Sequence, residues 1–447
     1  MEILNFIVGL GPSIMMPIIL TVLGVLLGAK LGRAIRSGLT VGIGFIGLNL
    51  VIGMLANNLG PAAQKMVERT GLQLTVIDVG WPAAAAISFA SKVGALIIPL
   101  GLVINIVMLV TRTTRTVNID IWNYWHFAFT GALVSAATGS LFWGMVASGL
   151  DMIIIMVLAD LTAPNVEQFN GLPGVSLPHG FSAAYVPIAI ILNKLIDYIP
   201  VIKDIKADPE TLQKRFGIFG EPMIIGSILG LVMGVLAGYD LKGVLNIGIT
   251  MGAVLVLIPK MAAMLMEGLI PLSDAAQDFI QRHFKTQSKV YIGLDSAVAI
   301  GHPAAMAASL VLVPITILLA GILPGNRVLP FADLAVLPFM LCMIVPVTKG
   351  NVFRTLVIGF ITVAVGLLIA TNMAPLHTQL AIDAKFAIPK GATMIASICD
   401  GANPLVWVIL KIMQTKILGF AILAIVAIGL AIYNYKIGQE IGKSASV

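Results

Sequence analysis

The stretch Gly171–Pro200, GLPGVSLPHGFSAAYVPIAIILNKLIDYIP, decides how the chain must be read. It is apolar enough to enter a bilayer, yet Gly171, Pro173, Gly174, Pro178, Gly180 and Pro187 interrupt it. A continuous spanning helix takes about 20 apolar residues and closes its backbone bonds within itself. A segment broken this often predicts a re-entrant hairpin, two half-helices meeting at an unwound tip. Such backbone survives at membrane depth only where protein buries it or where it lines a wet cavity. His179 and Ser182 stand at the tip, which makes the hairpin one half of a substrate site.

The surrounding composition fits that reading. The chain is 58% hydrophobic and 11% charged, with a mean hydropathy of +1.01, whereas soluble globules carry about 25% charged residues. An all-α polytopic membrane protein is predicted. Met1 and Glu2 lead straight into an apolar segment without a basic leader or cleavage site, so no signal peptide is expected. The net charge of +6 is modest and sits in loops, where it reports topology and gives no reason to expect nucleic-acid binding. Cys342 and Cys399 have neither metal-ligand spacing nor a disulfide framework and read as packing residues.

The chain is internally repeated. At an offset of 210, Pro12 matches Pro222, Gly24 matches Gly234, Gly28 matches Gly238, Gly38 matches Gly248, Gly42 matches Gly252 and Pro61 matches Pro271. Apolar matches arise by chance, but glycines and prolines held in one register do not. Further on the register drifts while the order holds. Asp78 and Trp81-Pro82 correspond to Asp295 and His302-Pro303, and the tip around His179 corresponds to Asp400-Gly401. Two broken hairpins are expected, one per half.

Spanning helices are expected near 6–28, 37–57, 86–110, 122–139 and 141–161, then 219–239, 243–267, 295–322, 332–348, 352–372 and 416–435. Five helices before the first hairpin invert the second copy. Basic residues test the topology: Lys30, Arg33, Arg36, Arg112, Arg115, Lys203, Lys206, Lys214, Arg215, Arg282, Lys285, Lys289, Lys349 and Arg354 fall on one side, with Lys436 and Lys443. That side is cytoplasmic and the N-terminus is outside. Lys65, Arg69, Lys242, Arg327, Lys385 and Lys390 fall on the outer side, so the bias is incomplete. Inverted repeats with paired discontinuous segments at mid-membrane are the mark of transporters.

Glycines of the first two helices of each half allow close packing and predict a scaffold that also dimerises. Pro61–Arg69 and Pro271–His283 read as interfacial amphipathic helices. Lys92 reads as snorkelling, Trp122 and Tyr124 as an interfacial belt, and the linker after Pro200 as solvated chain or a docking segment for a soluble partner. His126 and Thr130, one turn apart, form either a binding pair or a satisfied structural pair. Asp295 and His302 are seven residues apart and share a face if the helix is unbroken. A carboxylate at depth costs about 2.5–3.5 kcal/mol on insertion scales, and no intramembrane Arg stands out to neutralise Asp295 or Asp400. His283 reads as solvated and His377 as lying in an outer loop or at its mouth. The candidate site is therefore His126, Thr130, His179, Ser182, Asp295, His302, Asp400 and Asn403, with Asp78 and Trp81 beside it. Such groups accept and donate hydrogen bonds and suit a neutral polyol, whereas a phosphorylated ligand would call for Arg or Lys clusters. No cofactor, phosphate loop, metal spacing or nucleophile elbow is expected, so uphill transport would draw on an ion gradient or a partner.

The runs GLGPSIMMPIIL, VIDVGWPAAAA, NIDIWNYWHFAFTGAL, SLPHGFSAA, FGEPMIIG, LAGYDLKGVL, GLDSAVAIGH and GNRVLPFADLA resemble the galactitol-type EIIC membrane component of bacterial sugar phosphotransferase systems, which is related to the ascorbate-type components. The resemblance implies a homodimer of eleven-helix protomers, with a V-shaped scaffold and an elevator-type transport core, in the bacterial inner membrane. It implies scaffold at 1–70 and 219–288, core at 71–200 and 289–415, a cytoplasmic linker at 201–218, and a C-terminal helix and tail at 416–447. It also implies a polyol substrate such as galactitol, phosphorylated by a separate EIIB subunit with EIIA upstream. On matching motifs, His126, His179 and Asp295 become substrate residues. The competing expectation is an ion-coupled secondary transporter with Asp295 or Asp400 as proton carrier; a membrane enzyme without transport lacks a nucleophile or metal set.

Overall fold

The computed structural model describes residues 12–26, 28–70, 74–118, 120, 123–200, 202–205, 222–283, 290–330, 332–384 and 394–444. Trp122, the linker beyond 205 and Lys285, Lys289, Lys385 and Lys390 lie outside them. The chain is mostly helical. Among the described residues, five helical stretches are long and apolar enough to cross a membrane: Leu141–Asn170, Gly180–Asp197, Pro303–Ile322, Val352–Asp383 and Ile417–Glu440.

The first half opens with α1 (Pro12–Leu26) and α2 (Leu31–Thr70). Next come β1 (Val76–Asp78), α3 (Trp81–Ala90), α4 (Lys92–Val110), β2 (Thr116–Asn118), α5 (Tyr124–Thr138) and α6 (Leu141–Asn170). It closes with β3 (Val175–Ser176), α7 (Gly180–Ala184) and α8 (Val186–Asp197). The second half begins with α9 (Pro222–Leu236) and α10 (Leu241–His283), then β4 (Tyr291–Gly293), α11 (Pro303–Ile322) and β5 (Val328–Leu329). It continues through α12 (Leu337–Cys342), α13 (Ile344–Val347), α14 (Val352–Asp383), β6 (Met394–Ala396), α15 (Pro404–Met413) and α16 (Ile417–Ser444).

The pair α1–α2 and the pair α9–α10 start at residues related by the same offset read from the sequence. Each pair turns through a glycine in the left-handed region, Gly28 at φ 92° and Gly238 at φ 70°, where a side chain would be strained. The four helices pack together, and Ser37 Oγ on α2 donates to the Gly268 carbonyl on α10. Here the structure departs from the expected boundaries. Helix α2 runs 40 residues through Pro61, and α10 runs 43, so the segments expected as separate interfacial helices are continuations. A proline removes a single backbone bond, and packed neighbours hold the helix on either side of it. At 1.5 Å per residue such helices reach about 60 Å, twice the hydrocarbon thickness of about 30 Å.

A second departure concerns the reading as wholly helical. Among the described residues, six strands of two or three residues form two parallel sheets, ordered β5-β1-β6 and β2-β4-β3. Val76 pairs with Val328 and Met394, while Ile292 pairs with Val117 and Val175. Each sheet takes its middle strand from one half and its outer strands from the other. Strands this short show no alternation in sequence, so helical propensity and hydropathy pass over them.

Buried carboxylates anchor the strand ends. Asp78 accepts from the amides of Gly80 (3.2 Å), Asp333 (2.8 Å) and Ile398 (3.4 Å). Asp333 in turn accepts from the Trp81 amide at 2.6 Å, Ser397 Oγ at 2.5 Å and the Cys399 amide at 3.0 Å. In the other sheet Asp120 accepts from the Asp295 amide at 3.0 Å. Asp160 accepts from Thr114 Oγ1 (2.8 Å), the Arg115 amide (2.7 Å), Thr116 Oγ1 (2.6 Å) and Asn434 Nδ2 (2.5 Å), which ties α16 to β2.

Replacing Asp333 by Ala takes the acceptor from the Trp81 amide and the Ser397 hydroxyl, each worth about 1–3 kcal/mol when unsatisfied, while the Cys399 amide keeps Ser397 Oγ at 3.2 Å. Asp333→Ala should melt several degrees lower than the wild type in a detergent thermal-shift assay; equal melting would show that the junction does not depend on this carboxylate.

Candidate functional site

Behind the carboxyl ends of the two sheets lies a narrow cavity of about 410 Å³, counted out to its open mouth. Its wall is drawn from both halves: His126, His179 and Phe181 from the first, Asp295, Phe339 and Cys399 from the second. Trp81 and Trp125 complete its aromatic lining.

The polar groups form a chain. His126 lies in the first turn of α5, and its Nδ1 is 2.6 Å from Asp400 Oδ2. Its Nε2 is 3.1 Å from His179 Nε2, and His179 Nε2 is 3.5 Å from Asp295 Oδ2. The sequence of groups is carboxylate, imidazole, imidazole, carboxylate. Both rings and both carboxyls are buried.

Local structure fixes how the protons lie on neutral rings. His179 caps α7, and its Nδ1 accepts from the Ser182 amide at 3.2 Å, so its ring proton is on Nε2. His126 Nδ1 faces a carboxylate and carries the proton there, leaving Nε2 as an acceptor. The two Nε2 atoms therefore make a donor–acceptor pair. A hydroxyl group can enter between them, accepting from His179 and donating to His126, while Asp295 Oδ2 accepts from the next hydroxyl. Aromatic rings back both imidazoles. Trp125 lies 4.1 Å from the His126 ring, and Phe339 stacks on His179 at 5.9 Å. Such surfaces suit the C–H faces of a polyol.

The tips of the two broken segments meet. Asn403 Nδ2 donates to the Gly180 carbonyl at 3.0 Å, and Asn403 Oδ1 caps α15 by accepting from the Leu405 amide. Gly180 is small for a steric reason. A Cβ there would lie 2.5 Å from His126 Cβ and 3.0 Å from its Cγ.

Of the residues singled out from sequence, His126, His179, Asp295 and Trp81 line the cavity, Asp400 holds His126, Ser182 holds His179, and Asn403 joins the tips. Thr130 stands one turn behind His126 and donates to Asp151 Oδ2 at 2.6 Å, away from the cavity wall. Asp78 serves the strand junction described above. His302 is half-buried and caps α11 through the Ala304 amide at 3.2 Å. It does not share a helix face with Asp295, because a 3₁₀ turn at Ser296–Val298 and a break precede α11. His377, expected in an outer loop or at its mouth, is buried on α14 in a T-shaped contact with Phe129, ring centroids 5.1 Å apart. Sequence reasoning passed over Trp125, Phe181, Phe339, Asp151 and Asp333. Cys399 signals itself only by standing next to Asp400.

Ligand atoms of His126, Cys399 and Asp400 lie within 4.8 Å of one another among the described residues. A cation there would have to take the place of the proton shared by His126 and Asp400, so hydrogen bonding is the role the geometry gives them.

Residues 6–391 match the family described as PTS system sugar-specific permease component, EIIC-GAT. The chain is 42% identical over 423 residues to the PTS system galactitol-specific EIIC component of Escherichia coli (strain K12), covering 94% of this chain and 93% of that protein. The same figures hold for the protein of that name from Escherichia coli O157:H7. A further protein of strain K12, named only as a permease IIC component, is 42% identical over 426 residues, 95% of this chain and 96% of its own length. With the family matched over most of its length, this membrane chain belongs to the EIIC-GAT sugar-specific permease components of the PTS.

Proposed function

We propose that this chain binds a polyol, galactitol being the first candidate, and carries it across the inner membrane for phosphorylation by a separate EIIB subunit. The observation that carries the reading is the His126–His179 donor–acceptor pair flanked by Asp400 and Asp295, positioned where two broken segments meet. Uncharged hydroxyls can replace each bond in that chain without leaving a buried polar group unpaired. His126, His179 and Asp295 contact substrate in this scheme; Asp400, Ser182 and Asn403 position them, and Trp81 and Trp125 form walls.

The mechanism is alternating access. An oppositely inserted duplication gives two arrangements of nearly equal energy. What supports the duplication is the matched offset of α1–α2 and α9–α10 together with the reciprocal strand exchange between the two sheets. In this scheme residues 1–70 and 219–288 form a dimerising scaffold. Residues 71–200 and 289–415 form a core that moves elevator-fashion, and the basic loops face the cytoplasm with the N-terminus outside. The His–carboxylate chain also suits a proton-coupled carrier, the second reading. Uptake into vesicles lacking phosphorylated EIIB separates them: concentrative accumulation of unmodified polyol under a proton gradient would overturn the group-translocation scheme.

Asp295→Asn should weaken galactitol binding by about tenfold or more, or about 1.4 kcal/mol, in calorimetry on protein of unchanged elution volume. Wild-type affinity would remove Asp295 from the site. His179→Ala should lose binding comparably, and an isotherm matching wild type would make its segment purely structural. Gly180→Ala should displace the His126 ring and reduce affinity while the protein still elutes as wild type; full affinity would mean that His126 is not held against that backbone.

A further inference from the structure

A second and larger cavity, about 1560 Å³ out to its mouth, opens between α6, α8 and α13. Two chain segments line both cavities. Residues His179 and Phe181 face the first, and Pro187 and Lys194 of the same segment face the second. Val336 and Phe339 face the first, and Pro346 and Lys349 the second. Between the two cavities each segment passes from one short helix to the next, at Tyr185 (φ −83°, ψ −14°) between α7 and α8 and at Met343 (φ −91°, ψ −13°) between α12 and α13, without leaving helical geometry. At 1.5 Å per residue the second cavity begins about 8–10 Å along each segment from the first. It therefore lies on the route from the site to the face that carries Lys349, Lys203 and Arg354.

Its lining is chemically unlike that of the polyol site. No carboxylate lines it among the described residues, whereas Lys194, Lys349, Asn165 and Gln168 do. The nearby Asp197 is already taken, since Arg354 Nη1 donates to it at 2.7 Å and Arg354 also binds Asn193 Oδ1 and the Lys203 carbonyl. Both lysines are exposed, and neither has an ion pair among the described residues. Lys349 also holds a left-handed backbone, φ 53°, a conformation uncommon for a side-chain-bearing residue.

We infer that this vestibule receives the phosphate monoester of the transported polyol, with Lys194 and Lys349 as its charge partners and the Asn165 and Gln168 amides as additional donors. The inference rests on the group-translocation reading above. A neutral polyol leaves the upper site without needing charge, and the dianionic ester formed from it is stabilised one step further out by two cations that have no ion pair among the described residues.

The test uses full-length protein in neutral detergent, with galactitol and galactitol 1-phosphate as calorimetric probes for wild type and the Lys194→Gln/Lys349→Gln double variant. The double variant should bind the ester about tenfold or more weakly while binding galactitol like wild type. Equal ester affinity in the two proteins overturns the inference. So does a variant whose only change is weaker retention of phosphatidylglycerol in nanodiscs, which assigns the lysines to a lipid headgroup. Failure of wild type to bind galactitol overturns the polyol reading itself, and the inference with it.

Discussion

The constraint on which the molecule depends is that non-helical backbone at membrane depth must find every hydrogen-bond partner inside the protein. Among the described residues the chain leaves helical geometry at six short strands, and residues that follow several of them, such as Trp81, His179, Asp295 and Cys399, line one cavity. Two small parallel sheets and a set of buried carboxylates close the exposed amides. Asp78 and Asp333 cap one sheet and Asp120 receives the amide of Asp295 at the other. The site exists because these peptide groups are satisfied from the side and leave the ends of the segments facing a common space.

That arrangement separates the roles of the buried carboxyls. Asp78, Asp333 and Asp160 spend their oxygens on backbone and hydroxyl donors and hold the frame. Asp400 and Asp295 each keep an oxygen toward an imidazole. Asp151 stands behind, bonded to Thr130, and steadies α5 from its far side. Acidic residues of identical sequence appearance thus serve unlike ends, and the difference is set by what the neighbouring strand presents.

Much of this was legible in the sequence. Proline and glycine marked where the chain leaves helical geometry between Asn170 and Gly180, and the matched offset marked where two helix pairs begin. His126, His179, Asp295 and Asp400 stood out because polar groups are expensive in an apolar setting. The rest was hidden for physical reasons. Phe339, Phe181 and Trp125 sit in apolar runs where a wall residue and a packing residue look alike. The strands are shorter than the period that would reveal them. His302 misled because a two-turn spacing counts only if the intervening backbone is helical, and there it is not. Thr130 was correctly placed on the His126 face, but its partner is 21 positions away on the next helix.

The exchange of strands between the halves has a consequence for biosynthesis. Val76 finds its neighbours only when residues 328 and 394 have been made, so one sheet stays open until nearly the whole chain has left the ribosome. The other sheet, completed by Ile292, closes earlier. Pairings between such distant residues form late. Neither half can complete a sheet by itself, and a nascent chain stalled before Met394 would leave β1 without its β6 partner.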